Sequence, residues 1–307
     1  MVHVAETGPT VDPTRETVAE FLERWLRDYV ENNVAPKTRM YYTQVVRQHI
    51  IPRLGAKRLQ QLRPIDLVEA ERSWLTEGWR RTIAKRGLSP KSVSNIHTIL
   101  RLALRHAIEW KLLSVSPIEN LKAPRWERKE QFWLDLPQAK TLVEHLETTP
   151  AGTAVLVKVS TGLRMESLGL RWRDVDLTGR AIALQQQLQW LAGKGYIMRS
   201  VKSHRSRRPI SIDLDLVDVL RSYKVRQNDA RLQAGELWKG NDVVSTNEVG
   251  EHLTPDQVRR ALLRALKAAG LPRIRPHDLR HTHANVLLRL RTPMKVVQES
   301  LDTAPLL

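Results

Sequence analysis

The 307 residues suffice for two ordinary domains, and the absence of cysteine excludes disulfides, thiolate chemistry and Cys-based zinc sites. A net charge of +17, from 50 Lys and Arg against 33 Asp and Glu, favours a polyanionic partner, with nucleic acid first in line. No apolar run approaches the ~18 residues that span a bilayer, and the first residues lack a basic stretch followed by an apolar one. Neither a membrane protein nor a secreted one is expected, and the cytoplasm is the expected compartment.

Residues 1–15, with Gly8, Pro9 and Pro13, carry no periodicity and are expected to form a flexible tail. Thr17-Val-Ala-Glu20 is a capping box, and Val18, Phe21, Leu22, Trp25, Leu26 and Tyr29 continue it as an apolar helical stripe. Pro36 opens a second predicted helix that Ile50–Gly55, with Pro52, is expected to break. Arg63-Pro64 and Ser89-Pro90 begin a third and a fourth, the last with Val93, Ile96, Leu100, Ala103, Ala107 and Trp110 spaced for burial. Residues 16–122 thus read as an all-helical domain and 123–134 as a linker. From 135 onward the types mix. Helices are predicted over 136–146, over 154–172 with an interruption at TGLR, over 253–269 and over 277–290. Strands are predicted at 180–184 and 208–212.

Three stretches carry candidate chemistry. Arg164 comes directly after Thr161-Gly162-Leu163 within an apolar segment, where a charge needs either a carboxylate (Glu166, Asp174 or Asp176) or an anionic ligand. Lys202 opens the basic run VKSHRSRRPISI, placed near a turn between strands; its Arg205 and Arg208 suit a solvated face or DNA backbone contacts. His277 and Arg280, in RPHDLRHTHA, share a face at a helix N-terminus, a setting that suits a phosphate. The same spacing leaves a His277–His281 metal pair and core-packing histidines open. Further DNA-binding candidates on the predicted helices are Lys37, Arg39, Lys91, Arg101 and Arg105.

Taken together, these stretches resemble the tyrosine recombinases, and the phage-type integrases in particular. Thr161–Arg164 matches the family's T-G-[LM]-R segment. His277, Leu279, Arg280, His281, Thr282 and Ala284 match H-x-L-R-H-T-x-A. Lys202, Ser203, Ser206, Arg208 and Ile210 match the K-[TS]-x-x-S-x-R-x-I turn between them. The resemblance implies a SAM-like helical core-binding domain followed by a mixed α+β, mainly helical catalytic domain of the DNA breaking-rejoining type. In such enzymes a tyrosine hydroxyl attacks a phosphodiester, leaving a 3′-phosphotyrosyl link and a free 5′-hydroxyl. The resemblance assigns Arg164 and Arg280 to the non-bridging oxygens, Lys202 to protonation of the departing oxygen and His277 to proton transfer at the nucleophile, without metal or cofactor.

Two departures from the family pattern qualify this. Glu166 and LRW stand one residue early relative to the family, which would rotate the residues downstream by ~100° on an α-helix. Further on, PMKVVQESL runs in register to Leu301, but Asp302 and Thr303 replace the family's Gly-His. The five tyrosines, Tyr29, Tyr41, Tyr42, Tyr196 and Tyr223, all lie upstream. The catalytic domain, 135–307, is therefore expected to stop short of the nucleophile, to bind double-stranded DNA without cutting it, and to form homo-oligomers weakly. A non-enzymatic DNA-binding relic or regulator that occupies recombination sites is the alternative.

Overall fold

A computed structural model describes residues 12–77, 87–127, 132–191, 195–200, 209–240 and 242–301. The chain divides into two compact units, Met1–Lys129 and Glu130–Leu307.

The first unit is helical throughout. Helix α1 (Val18–Trp25) begins at the Thr17 capping box, passes through a π turn at Leu26–Val30 and ends in α2 (Glu31–Asn33). Helix α3 (Pro36–Val45) runs through a second π turn, Val46–Ile50, into α4 (Ile51–Leu54). The helix ends within the expected Ile50–Gly55 break, but at its far end, Leu54, after passing through Pro52. The Ile51 amide bonds the Val46 carbonyl in the wide i→i+5 pattern, a local adjustment that absorbs the missing N–H and the ring of the next residue, a proline. Helices α5 (Pro64–Glu77) and α6 (Pro90–Glu109, capped by Ser89) complete the unit. Their apolar stripes bury Phe21, Leu22, Trp25, Val46, Ile50, Leu67, Ile96, Leu100 and Leu104 in one core. At its centre the Trp25 indole N–H donates to Nδ1 of His106 at 2.7 Å, so the one polar atom of that buried ring is satisfied.

The second unit is built around α8 (Pro150–Thr161), which Thr149 caps. Packed around it are α9 (Leu214–Ala234), α10 (Pro255–Ala268) and α11 (Asp278–Arg289), with α7 (Leu136–Glu144) and α12 (Met294–Leu301) against α11. Strands β1 (Val175–Asp176), β2 (Ala181–Ile182) and β5 (Ile210–Ser211) form a small antiparallel sheet in the order β1-β2-β5. Strands β3 (Gln186–Leu191) and β4 (Gly195–Ser200) form a separate hairpin, in register from Gln186 opposite Ser200 to Leu191 opposite Gly195. The hairpin lies against the 3-10 turn Met165–Gly169. A Cβ on Gly169 would stand only 2.9 Å from the Leu188 amide, which is why the residue at this crossing has no side chain.

Three features of this unit differ from what the sequence predicts. The segment after Arg164 is a 3-10 turn rather than continued α-helix, so the one-residue offset does not swing an α-helical face. Leu168 and Leu170 remain buried on it. Helix α9 and the β3-β4 hairpin were not expected from the sequence.

Candidate functional site

The two halves of the site meet at the C-terminus of α8. That helix stops because Gly162 takes φ +64, the left-handed conformation that terminates helices and that glycine adopts without penalty. The chain then leaves in extended geometry, and Arg164 stands exposed just outside the helix end. Its position in solvent removes the need for a protein partner. Of the carboxylates considered, Asp174 is gripped by Arg171 through two N–H groups at 2.7 and 2.9 Å, and Asp176 accepts from the Thr178 and Gly179 amides.

The second half comes from α11. Asp278, buried, accepts from the Arg275 amide at 2.7 Å and from the Arg275 guanidinium, which fixes the turn that begins the helix. His277 occupies the N-cap and Arg280 lies one turn in. Arg280 is buried, and its Nη1 donates to the Gly162 carbonyl at 2.8 Å. One hydrogen bond thus ties the two motifs together across 118 residues, two positions before Arg164. His283, one turn further, donates from Nδ1 to the Val159 carbonyl at 3.1 Å, so that nitrogen carries the proton of the neutral ring. Lys158, in the last turn of α8, donates from Nζ to the Leu163 carbonyl at 2.7 Å.

Electrostatics reflect this concentration of positive charge. Partial burial, then His281, then Arg280 and Lys158 push the His277 imidazole below its ordinary pKa, with Asp278 opposing. A neutral His277 can accept a proton at neutral pH. His283 is held down to about 4, mainly by burial and further by Arg280, against the Val159 carbonyl and Asp213. A depressed folded-state value means that the unfolded chain takes up a proton between about 6.5 and 4 that the native chain refuses. Stability is therefore full above about 6.5 and falls as pH drops through that window, by ~3 kcal/mol at most. Urea unfolding of the parent chain and of His283→Gln at pH ~7 and ~5 checks this: the variant is expected to show the weaker pH dependence.

His277 and His281 stand edge to face with ring centroids 5.4 Å apart. Among the described residues no group of three metal-ligating side chains accompanies them. Lys202, Arg205 and Arg208 lie outside the described residues. The remaining candidates are on the first unit and are engaged in weak exposed contacts. Arg39 reaches Glu31, Arg101 reaches Glu119, Arg105 lies 3.8 Å from Glu109, Lys91 sits over the Trp126 ring, and Lys37 is exposed. Such surface pairs are worth little and can exchange for phosphates. Lys158 is not marked out by the sequence, because a single lysine in a helix is ordinarily solvated.

The family model described as phage integrase family matches residues 133–304, more than half of the chain. The chain belongs to the phage integrase family. A second model, the N-terminal SAM-like domain of phage integrases, matches residues 17–75. The integrase of Saccharopolyspora erythraea is 26% identical, over 91% of this chain and 75% of its own length. That of Streptomyces ambofaciens is 27% identical, over 95% and 74%. Among solved structures, the Tn1549 transposon integrase in complex with transposon right end DNA superposes with a TM-score of 0.78 at 19% identity, covering 94% of this integrase and 92% of that chain. A lambda integrase tetramer bound to a Holliday junction superposes with a TM-score of 0.65 at 18% identity, covering 94% and 78%. The fold is thus the integrase fold: a helical SAM-like unit and a mainly helical unit with a small sheet. No described helix is long and apolar enough to cross a membrane.

Proposed function

We propose that this integrase is a site-specific DNA recombinase whose second unit binds the scissile phosphate between Arg164 and Arg280, with His277 beside them. The observation that carries this reading is the Arg280–Gly162 bond, which couples the RPHDLRHTHA helix to the turn presenting Arg164. Two guanidinium groups, one of them held by the Gly162 carbonyl, suit the charge that builds on non-bridging oxygens when phosphorus is attacked. Lys202, on the resemblance of its motif, protonates the departing 5′ oxygen. The net charge of +17 supports duplex DNA as partner, and the DNA-bound tetramer of the lambda integrase supports assembly of several protomers on it.

A polypeptide of these 307 residues is proposed to bind its site without cutting it. Tyr223 is buried, and burial pushes its hydroxyl up to about 12, far from what a nucleophile needs. Tyr196 lies on β4 with its ring edge to face against His252. Tyr29, Tyr41 and Tyr42 belong to the helical unit, where Tyr29 and Tyr42 stack on Trp25. Such a polypeptide would occupy recombination sites as a binding protein. The test uses duplexes recovered by selection from a random pool, rebuilt as nicked suicide substrates. The expected result is binding whose logarithm falls steeply with the logarithm of salt, and no SDS-resistant protein–DNA adduct. A flat salt response contradicts phosphate-based binding, and an adduct contradicts the binding-only reading.

A further inference from the structure

Lys158 is the only described lysine in the buried set, at 2% exposure. It sits on an apolar helix between Val157 and Val159, where Leu or Met would pack without the cost of removing an ammonium from water. The helix C-terminus offsets part of that cost, because its carbonyls favour a cation. Where the charge goes is informative. Its Nζ holds the carbonyl of Leu163 at 2.7 Å, while Arg280 holds that of Gly162 at 2.8 Å. The two successive peptides ahead of Arg164 are thus each fixed by a cation, one from the same helix and one from α11. His277 also feels the Lys158 charge.

We propose that Lys158 is a positioning residue of the phosphate pocket. It pins the Leu163 peptide from which Arg164 departs, and it supplies a fixed positive charge beneath the bound oxyanion. This rests on the phosphate-pocket reading of Arg164 and Arg280. Lys158 itself makes no contact with substrate; it acts through the turn and through its field.

Orthovanadate, a mimic of phosphorus under attack, is the probe, measured on the full chain with Lys158→Met, Lys158→Gln, Arg164→Ala and Arg280→Ala. Exposed Lys224→Met controls for net charge. Lys158→Met is expected to weaken vanadate binding roughly tenfold or more. Lys224→Met is expected to stay within about twofold. In Lys158→Gln the amide can still donate to Leu163, so part of the affinity should return. In both Lys158 variants the His277 titration, followed by proton NMR, should move up, because His281, Arg280 and Asp278 remain and only one positive neighbour is lost. A lysine that only packs α8 would leave vanadate affinity near the parent's, whether or not that titration moves. If Lys158→Met binds vanadate as the parent chain does while Arg164→Ala and Arg280→Ala lose it, the proposal is overturned and the pocket reading stands. If neither arginine variant loses vanadate, the pocket reading falls and the proposal with it. If Lys158→Met does not fold, Lys158→Gln decides, and parent-like affinity with an unmoved His277 titration overturns the proposal.

Discussion

Arg280→Ala is expected to disable the site and loosen the unit at once, because one side chain serves both ends. Its guanidinium is buried beneath α11 and donates to the Gly162 carbonyl. Truncation leaves that carbonyl without this donor and opens a cavity at the junction of α8 and α11. The expected cost is roughly 2–4 kcal/mol of unfolding free energy. The functional loss should be larger than stability explains, since removing one preorganised donor to a developing oxyanion typically costs ~100-fold or more in rate. Arg280→Lys separates the two effects. It keeps the positive charge and part of the packing but loses the planar fork that can hold a carbonyl and a phosphate together. Urea midpoints of the three chains, read beside their vanadate affinity and their peroxide-dependent nicking of bound DNA, test this. A variant that loses activity with an unchanged midpoint would show that the Gly162 bond carries no structural weight.

Gly162→Ala should be the most damaging single-methyl change in the second unit. The residue has φ +64, where an L side chain costs ~1–2 kcal/mol. The added Cβ would lie 2.6 Å from Leu301 Cδ2 and 2.8 Å from His283 Cδ2, so the Leu301 side chain and the His283 ring must both move. Overpacking of that kind adds about 1–3 kcal/mol. The total, ~2–5 kcal/mol, falls on the turn that presents Arg164, so phosphate binding there should suffer even where the chain still folds. The control is Gly270→Ala, also at positive φ but with nothing within 4 Å of the new Cβ, which should show only the conformational part. Equal destabilisation of the two variants would contradict the packing account.

The contrast between what was legible in the sequence and what was not has physical causes. The capping box at Thr17, the Ser89-Pro90 start and the stripe from Val93 to Ala107 are local signals, and helices stand there. Helix α9 is not legible because only its first half buries a stripe, Leu216, Val217, Leu220 and Tyr223. Its second half is solvated, with Leu232 81% exposed, so no period runs its length. The break expected over Ile50–Gly55 comes only at its end, Leu54, because a π turn just upstream lets the helix pass Pro52. At the site, spacing picked out Arg164, His277 and Arg280. It could not show that Arg280 faces inward while Arg164 and His277 face out, since that depends on α11 packing against the end of α8. Lys158 was invisible for the same reason: its burial is a property of the helices around it, not of its neighbours in sequence.

The most direct measurement supplies a nucleophile from outside. Hydrogen peroxide, whose anion is small and strongly nucleophilic, is added to the 307-residue polypeptide bound to a selected duplex. Attack at the gripped phosphorus expels the 5′ oxygen, which takes a proton, and leaves a nick. The account predicts a nick at one phosphate per bound site, dependent on peroxide and abolished by Arg164→Ala and by Arg280→Ala under conditions where both variants remain on the DNA. Bound DNA that stays intact in peroxide, or a nick that persists without either arginine, would contradict a phosphate pocket built from the turn after α8 and the start of α11.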